Sequence, residues 1–116
     1  MHNFKKLEIW TKSMSIVTEI YQITNSFPSC ERFGLVSQMQ RSAVSIPSNI
    51  AEGSAKTSNK DFARFLEMSI GSSFELETEL IVSYNLKYID TIVYENLLNE
   101  ISEIQKMIYG FKNKLE

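Results

Sequence analysis

The chain has 116 residues, 12 Lys and Arg against 14 Asp and Glu, and a net charge of −2. Folding a chain of this size buries roughly two-thirds of its extended surface, enough for one sizeable core and too little for two domains. Four Gly, two Pro and one Cys supply neither the turn cluster every ~8–12 residues that a β-sandwich or barrel needs nor an intramolecular disulfide, so all-β and disulfide-stapled folds are excluded.

Asn3 is a good N-cap for a first helix predicted to run to about Asn25. Leu7, Trp10, Met14, Val17, Tyr21 and Thr24 follow 3-4 spacing and form its expected seam. Ile9, Ile16, Ile20 and Ile23 form a second apolar line, so the helix is expected to touch more than one neighbour. Pro28 and Gly34 bracket the connection to a second helix, predicted from about Leu35 to Glu52 with Gly53 as its C′ residue. Pro47 lies inside this helix and is expected to kink it. Its many serines and alanines, among them Ser42, Ala43, Ser45 and Ala51, suit close approach by another helix.

Ser58 and Asp61 form a capping-box arrangement at the start of a third helix, predicted to reach about Lys87. Phe62, Leu66, Ser69, Ser73, Leu76 and Leu80 make its seam, and Ile70, Phe74, Ile81, Tyr84 and Tyr88 a second line. Asp90 is the N-cap candidate of a fourth helix striped by Tyr94, Leu97, Ile101, Ile104, Ile108, Phe111 and Leu115. The predicted architecture is an all-α, antiparallel up-and-down four-helix bundle over residues 1–116, a single domain. The charged start Met1–Glu8 is unlike a signal peptide, and no apolar run approaches the ~18 residues of a membrane helix. Together with the lone cysteine, this places the chain as a soluble cytoplasmic protein.

Catalytic chemistry has little to draw on. His2 is the only histidine and sits at a terminus expected to fray, which leaves no partner for a Ser or Cys nucleophile. A di-iron bundle needs two Glu-x-x-His helices, and a phosphate loop needs Gly-x-x-x-x-Gly-Lys; both are missing. Cys30 reads as an ordinary loop cysteine ahead of a redox-sensing one. Glu75, Glu77 and Glu79 offer paired carboxylates, but a solvated face or partners for a buried arginine such as Arg41 is the simpler reading; Glu77, between Phe74 and Ile81, needs a partner in its own bundle or in another subunit. The chain is expected to be no enzyme and to hold no metal or cofactor.

Charge is unevenly spread along the sequence. Residues 1–64 hold eight basic and five acidic groups, net +3, and residues 65–116 hold four and nine, net −5. Lys56, Lys60 and Arg64, at i, i+4 and i+8 around the start of the third helix, would align as a phosphate-binding face beside free helix N–H groups. A solvated basic face is the plainer alternative.

The segments Phe27-Pro28, Glu31, Phe33-Gly34-Leu35 and Gln38 lead into Arg41-Ser42-Ala43-Val44-Ser45-Ile46-Pro47-Ser48-Asn49-Ile50-Ala51-Glu52-Gly53. With Phe4–Trp10, Phe65-Leu66, Gly71-Ser72 and Glu75–Leu80, this resembles the bacterial family of 23S rRNA intervening-sequence proteins along essentially the whole chain. Ser42 departs from the alanine more usual there. The resemblance implies a four-helix bundle assembled as a ring-shaped homopentamer, with no established enzymatic activity. It also implies kinship with the accessory protein of diversity-generating retroelements, which works with nucleic acid through basic surface. On that footing Arg41, Lys56, Lys60 and Arg64 are the candidate nucleic-acid contacts. Pro47, Asn49, Glu52 and Gly53 read as a structural motif, Asn49 and Glu52 bonding backbone groups freed around the proline. The expected role is a non-catalytic oligomer associated with ribosomal RNA or other RNA or DNA, with no membrane or small-molecule partner. The alternative is a protein-interaction adaptor holding a partner helix beside the second helix.

Overall fold

The computed structural model describes residues 2–115; Met1, first of the charged N-terminal stretch, and Glu116 lie outside them. Four helices carry the fold: α1 (Glu8–Thr24), α2 (Leu35–Ser54), α3 (Asn59–Asn85) and α4 (Thr91–Leu115). Short 3-10 turns at Phe4–Lys6 and Ser29–Glu31 precede α1 and α2. No strand occurs among the described residues, and no helix is long and apolar enough to cross a membrane.

Each helix packs on the next and α4 closes on α1, α2–α3 being the most extensive seam and α1–α4 the least. The α2–α3 register is antiparallel: Ser83 Oγ touches Met39 Sδ at 3.2 Å, while Ser42 Oγ donates to Glu79 Oε2, Ser72 Oγ to Ser45 Oγ and Ser69 Oγ to the Ile46 carbonyl. As positions rise along α2 they fall along α3. Likewise Tyr84 stacks on Tyr94 at 4.0 Å, Gln105 donates to Glu77 at 2.9 Å, and Lys112 pairs with Glu67 at 3.5 Å along α3–α4. Glu77 therefore has its partner within its own bundle.

The α3 seam is buried at all six expected positions, and α4 buries Leu97, Ile101, Ile104 and Ile108. In α1 the core line is Ile9, Ser13, Ile16, Ile20 and Thr24, while Met14 and Tyr21 of the expected seam are exposed. Ser13 and Thr24 enter the core because their hydroxyls bond the carbonyls of Trp10 and Ile20, both at 2.8 Å, so neither carries an unmet donor inside.

Three boundaries differ from expectation. Asn3 caps the 3-10 turn, accepting from Lys5 N–H at 3.2 Å, and extended Leu7 separates that turn from α1. His2 is anchored: its backbone N–H donates to the Ser54 carbonyl at 3.2 Å and its ring lies against Phe62 and Phe111. Gly53 is helical, with no positive φ, and α2 continues to Ser54. A Cβ on Gly53 would stand 2.7 Å from Phe65 Cβ and 2.8 Å from a Phe62 ring carbon, so glycine is there for close helix approach and not for a turn.

Through Pro47 the helix runs unbroken. Proline removes the N–H that would reach the Ala43 carbonyl. Nearby, the Asn49 side-chain amide donates to the Ser45 carbonyl at 2.9 Å and to Ser45 Oγ at 3.0 Å. Asn49 thus ties its side chain to the turn before Pro47, to Ser45 and not to the Ala43 carbonyl that the proline leaves free. Glu52 closes the helix through its backbone, its carbonyl accepting from Ala55 N–H at 3.2 Å, and its side chain stands exposed.

The expected side-chain caps hold at α3 and α4: Ser58 Oγ accepts from Asp61 N–H at 3.1 Å and Asp90 Oδ1 from Val93 N–H at 2.8 Å. The far end of α3 is closed by Lys87 at φ 65°, with Tyr88 N–H reaching the Ser83 carbonyl and Lys87 N–H the Tyr84 carbonyl, both at 2.9 Å. A lysine there bears the left-handed strain that glycine avoids. Lys87→Gly should therefore raise unfolding free energy by about 1 kcal/mol. Gly53→Ala should lower it by about 2 kcal/mol despite alanine's better helix propensity, because its methyl meets a Cβ fixed to the α3 backbone. Urea titration of both variants checks the pair.

Candidate nucleic-acid interface

In an antiparallel bundle the start of α1, the end of α2, the start of α3 and the end of α4 share one pole. Contacts fix this here: His2 reaches Ser54 and Phe111, and Asn59 Nδ2 donates to the Leu115 carbonyl at 3.4 Å. Lys5, Lys6, Lys56, Lys60, Arg64, Lys112 and Lys114 gather at that pole, seven of the twelve cations. The charge split between the two halves of the sequence is thus not a split in space, since α4, from the acidic half, ends in Lys112 and Lys114.

Lys56, Lys60 and Arg64 do stand close together, but not as a plain stripe. Lys56 lies in the α2–α3 connection with Nζ 4.9 Å from the Phe65 ring centroid, and the Arg64 guanidinium lies 4.8 Å from the same ring. Arg64 also approaches Asp61 at 4.0 Å. Two of the three cations therefore partly serve the fold as cation–π partners. Lys60 and Arg64 line an open cavity of about 620 Å3 with Asn59, Asp61, Glu67 and Leu115.

Arg41 stands apart. It is twelve residues before Gly53 on α2, about 18 Å along the helix, in a different place: an open cleft of about 560 Å3 between α2 and α3. Arg41, Ser42, Ser45, Ser72, Glu75 and Glu79 line it, with Phe33 and Gln38 at its α2 N-terminal side. Arg41 is exposed, not buried, and forms no ion pair among the described residues, so of the two readings of Glu75 and Glu79 the one that pairs them with a buried Arg41 is not met. Glu79 accepts from Ser42 through Oε2 at 3.3 Å, while its buried Oε1 has no hydrogen-bond partner. Burial pushes the Glu79 carboxyl above the usual range; Ser42 opposes the shift and the charge on Glu75 adds to it.

The connection leading into this cleft explains several residues of the sequence motif. Glu31 Oε1 accepts from Leu35 N–H at 3.4 Å, and Glu31 Oε2 accepts from the Tyr88 hydroxyl at 3.0 Å. Tyr88 also packs on Phe27, ring centroids 5.2 Å apart. Glu31 thereby joins the start of α2 to the α3–α4 connection.

Two apolar surfaces remain uncovered on opposite sides of the bundle. Trp10, Met14 and Val17 of α1 face Val44, Pro47, Ser48 and Ala51 of α2 across a cavity of about 290 Å3. On α3–α4, Phe74, Ile81 and Tyr109 are exposed. No group of three or more metal-ligating side chains occurs among the described residues. Cys30 is exposed.

Small-residue packing, four antiparallel helices and a basic pole define a helical-bundle class of protein. The chain belongs to the 23S rRNA-intervening sequence protein family, whose sequence profile matches residues 5–110. It is similar in structure to a protein of unknown function from the S23 ribosomal protein family of Bacteroides thetaiotaomicron. The two share 26% identity, with a TM-score of 0.80, over 90% of this chain and 97% of that one. Among curated proteins nothing matches.

The thin α1–α4 seam has its own electrostatics. Lys12 pairs with Glu103 at 3.3 Å. Burial raises the Glu19 carboxyl from 4.5 to about 7, helped by a hydrogen bond and charge repulsion from Glu100 and opposed by Lys12. A carboxyl whose folded pKa lies above its unfolded one stabilises below the unfolded value and loses that contribution as pH rises through the folded value. Stability should thus fall between 4.5 and about 7. Glu19→Gln should remove that slope and be more stable than wild type by about 1 kcal/mol near pH 8, solvent screening keeping the gain small. Urea midpoints across pH measure it, and an unchanged slope would refute the assignment.

Proposed function

We propose that this protein is a non-catalytic, self-associating bundle of the bacterial cytoplasm that engages ribosomal RNA, or another nucleic acid, through its basic pole. The observation that carries the reading is the convergence of seven cations from four separate segments on one end of the molecule. Phosphate contacts by Lys and Arg supply most of the affinity in such binding and need no catalytic geometry. The family's association with 23S rRNA intervening sequences favours RNA. Self-association is supported by the two uncovered apolar surfaces. They differ from one another and lie on opposite sides, which suits head-to-tail contacts that close into a ring; five copies is the number that the family resemblance implies.

A second reading, a protein adaptor, is favoured by the α1–α2 groove, whose apolar lining suits the apolar face of an amphipathic helix. One sample separates the two. Light scattering at micromolar concentration should give a closed oligomer, and a monomer would remove the assembly. Binding to structured RNA should then weaken steeply as salt rises. Lys5→Glu, Lys60→Glu and Lys114→Glu together should lower the affinity at least about tenfold, while leaving the Phe65 cation–π pair intact. No binding by the assembled protein at low salt would overturn the nucleic-acid role in favour of the adaptor.

A further inference from the structure

We propose that the α2–α3 cleft is a binding site for an unpaired guanine base of a single-stranded nucleic acid, with Phe33 as the stacking platform and the Glu75 carboxylate, backed by Glu79, as the reader of the base edge. The proposal rests on the nucleic-acid reading above and adds a ligand chemistry and a second contact region to it.

Phe33 is 88% exposed, the most exposed of the large hydrophobic side chains. The apolar residues around it do pack: Phe27 is buried, and Leu35 lies against the core. Phe33 instead borders the polar cleft, with the Arg32 guanidinium 5.3 Å from its ring centroid. Exposed aromatic rings beside polar groups are how proteins hold unstacked bases, at ~1–3 kcal/mol per stacked base. The backbone beneath the ring is held firmly. Arg32 N–H donates to the Ser29 carbonyl at 3.2 Å, Gly34 N–H to the Glu31 carbonyl at 3.1 Å, and the Glu31 carboxylate ties both Leu35 and Tyr88. Little ordering of this segment is left to be done on binding.

The cleft wall has acceptors in need of donors. Glu79 Oε1 is the buried side-chain oxygen without a partner among the described residues, and exposed Glu75 stands one helical turn away in the same cleft. Guanine presents two adjacent N–H donors, N1–H and the N2 amino group, which match the two oxygens of the exposed Glu75 carboxylate, Glu79 being engaged by Ser42 through Oε2 and standing behind it in the wall. Adenine, cytosine and uracil lack that adjacent pair. Gln38 has an amide donor for guanine O6, and Arg41, exposed and without an ion pair among the described residues, has the charge for the attached phosphate. The same arginine selects against the other planar group that a carboxylate and an aromatic ring attract, the guanidinium of a partner's arginine: a neutral base meets no repulsion from Arg41, and a second cation does.

Amide resonances of the isotope-labelled full chain should report the site. Guanosine monophosphate should shift Ser37, Gln38 and Ser72, with uridine monophosphate at least about tenfold weaker. Phe33→Ala and Glu75→Gln, both at exposed positions, should each lower guanosine monophosphate affinity about tenfold or more. They should also abolish the preference for a guanine-containing single strand over its uridine-substituted counterpart, whereas Lys60→Glu should weaken both strands equally. Equal response to the two nucleotides, or none in the cleft, would overturn the base site while salt-dependent RNA binding kept the pole. Cleft shifts with guanosine monophosphate in a protein that binds no RNA would support the base site and remove the pole. Cleft shifts with arginine amide but not with the nucleotide would overturn the base site in favour of a protein ligand.

Discussion

The close approach of α2 to α3 is the constraint on which the other features depend. At Gly53 the helices come so near that one methyl group would collide with Phe65 Cβ. Farther along, buried Ser42, Ser69, Ser72, Ser73 and Ser83 take the places where larger side chains would hold the helices apart. Each of these hydroxyls has an acceptor: a carbonyl for Ser69, Ser73 and Ser83, the Glu79 carboxylate for Ser42 and the Ser45 hydroxyl for Ser72. A hydroxyl that is satisfied locally costs little inside, so the seam combines small volume with polarity. The same seam positions both candidate sites. It sets the start of α3 beside the end of α2 at the basic pole, and it opens into the cleft where Arg41 faces Glu75 and Glu79.

What was legible in the sequence is what depends on near neighbours. Ser58 and Asp90 cap helices through bonds that span three residues, and apolar spacing located all of the α3 seam. Misreadings arose where hydrophobicity was a poor guide to burial. The α1 core line includes Ser13, which an apolar count passes over, and of the expected seam Thr24 is buried while Met14 and Tyr21 face outward. Lys87 ends α3 in a conformation that normally announces itself by glycine. Gly53 invited a turn assignment because its real reason, a ring and a Cβ from α3, lies across a helix–helix contact.

The candidate site was legible only in part for the same reason. Lys56, Lys60 and Arg64 are neighbours in sequence and in space, though two of them are shared with Phe65. Lys5, Lys6, Lys112 and Lys114 join them only after the chain has crossed the bundle. Arg41 was grouped with them by motif, and the length of α2 carries it away. Phe33 gave no sign of its exposure, since the neighbouring Phe27 and Leu35, of similar character, turn inward.

The unequal seams also order the molecule in time. α2 and α3 share the most extensive contact, and α1 and α4 the least, with the like charges of Glu19 and Glu100 set across that thin junction. Opening free energies follow local packing. The α1–α4 junction is therefore where opening is expected to begin, with α2 and α3 as the spine that stays shut. The α2–α3 cleft lies on that spine and would keep its shape through such opening, whereas the basic pole draws lysines from α4 and from the turn before α1 and would be reshaped by it.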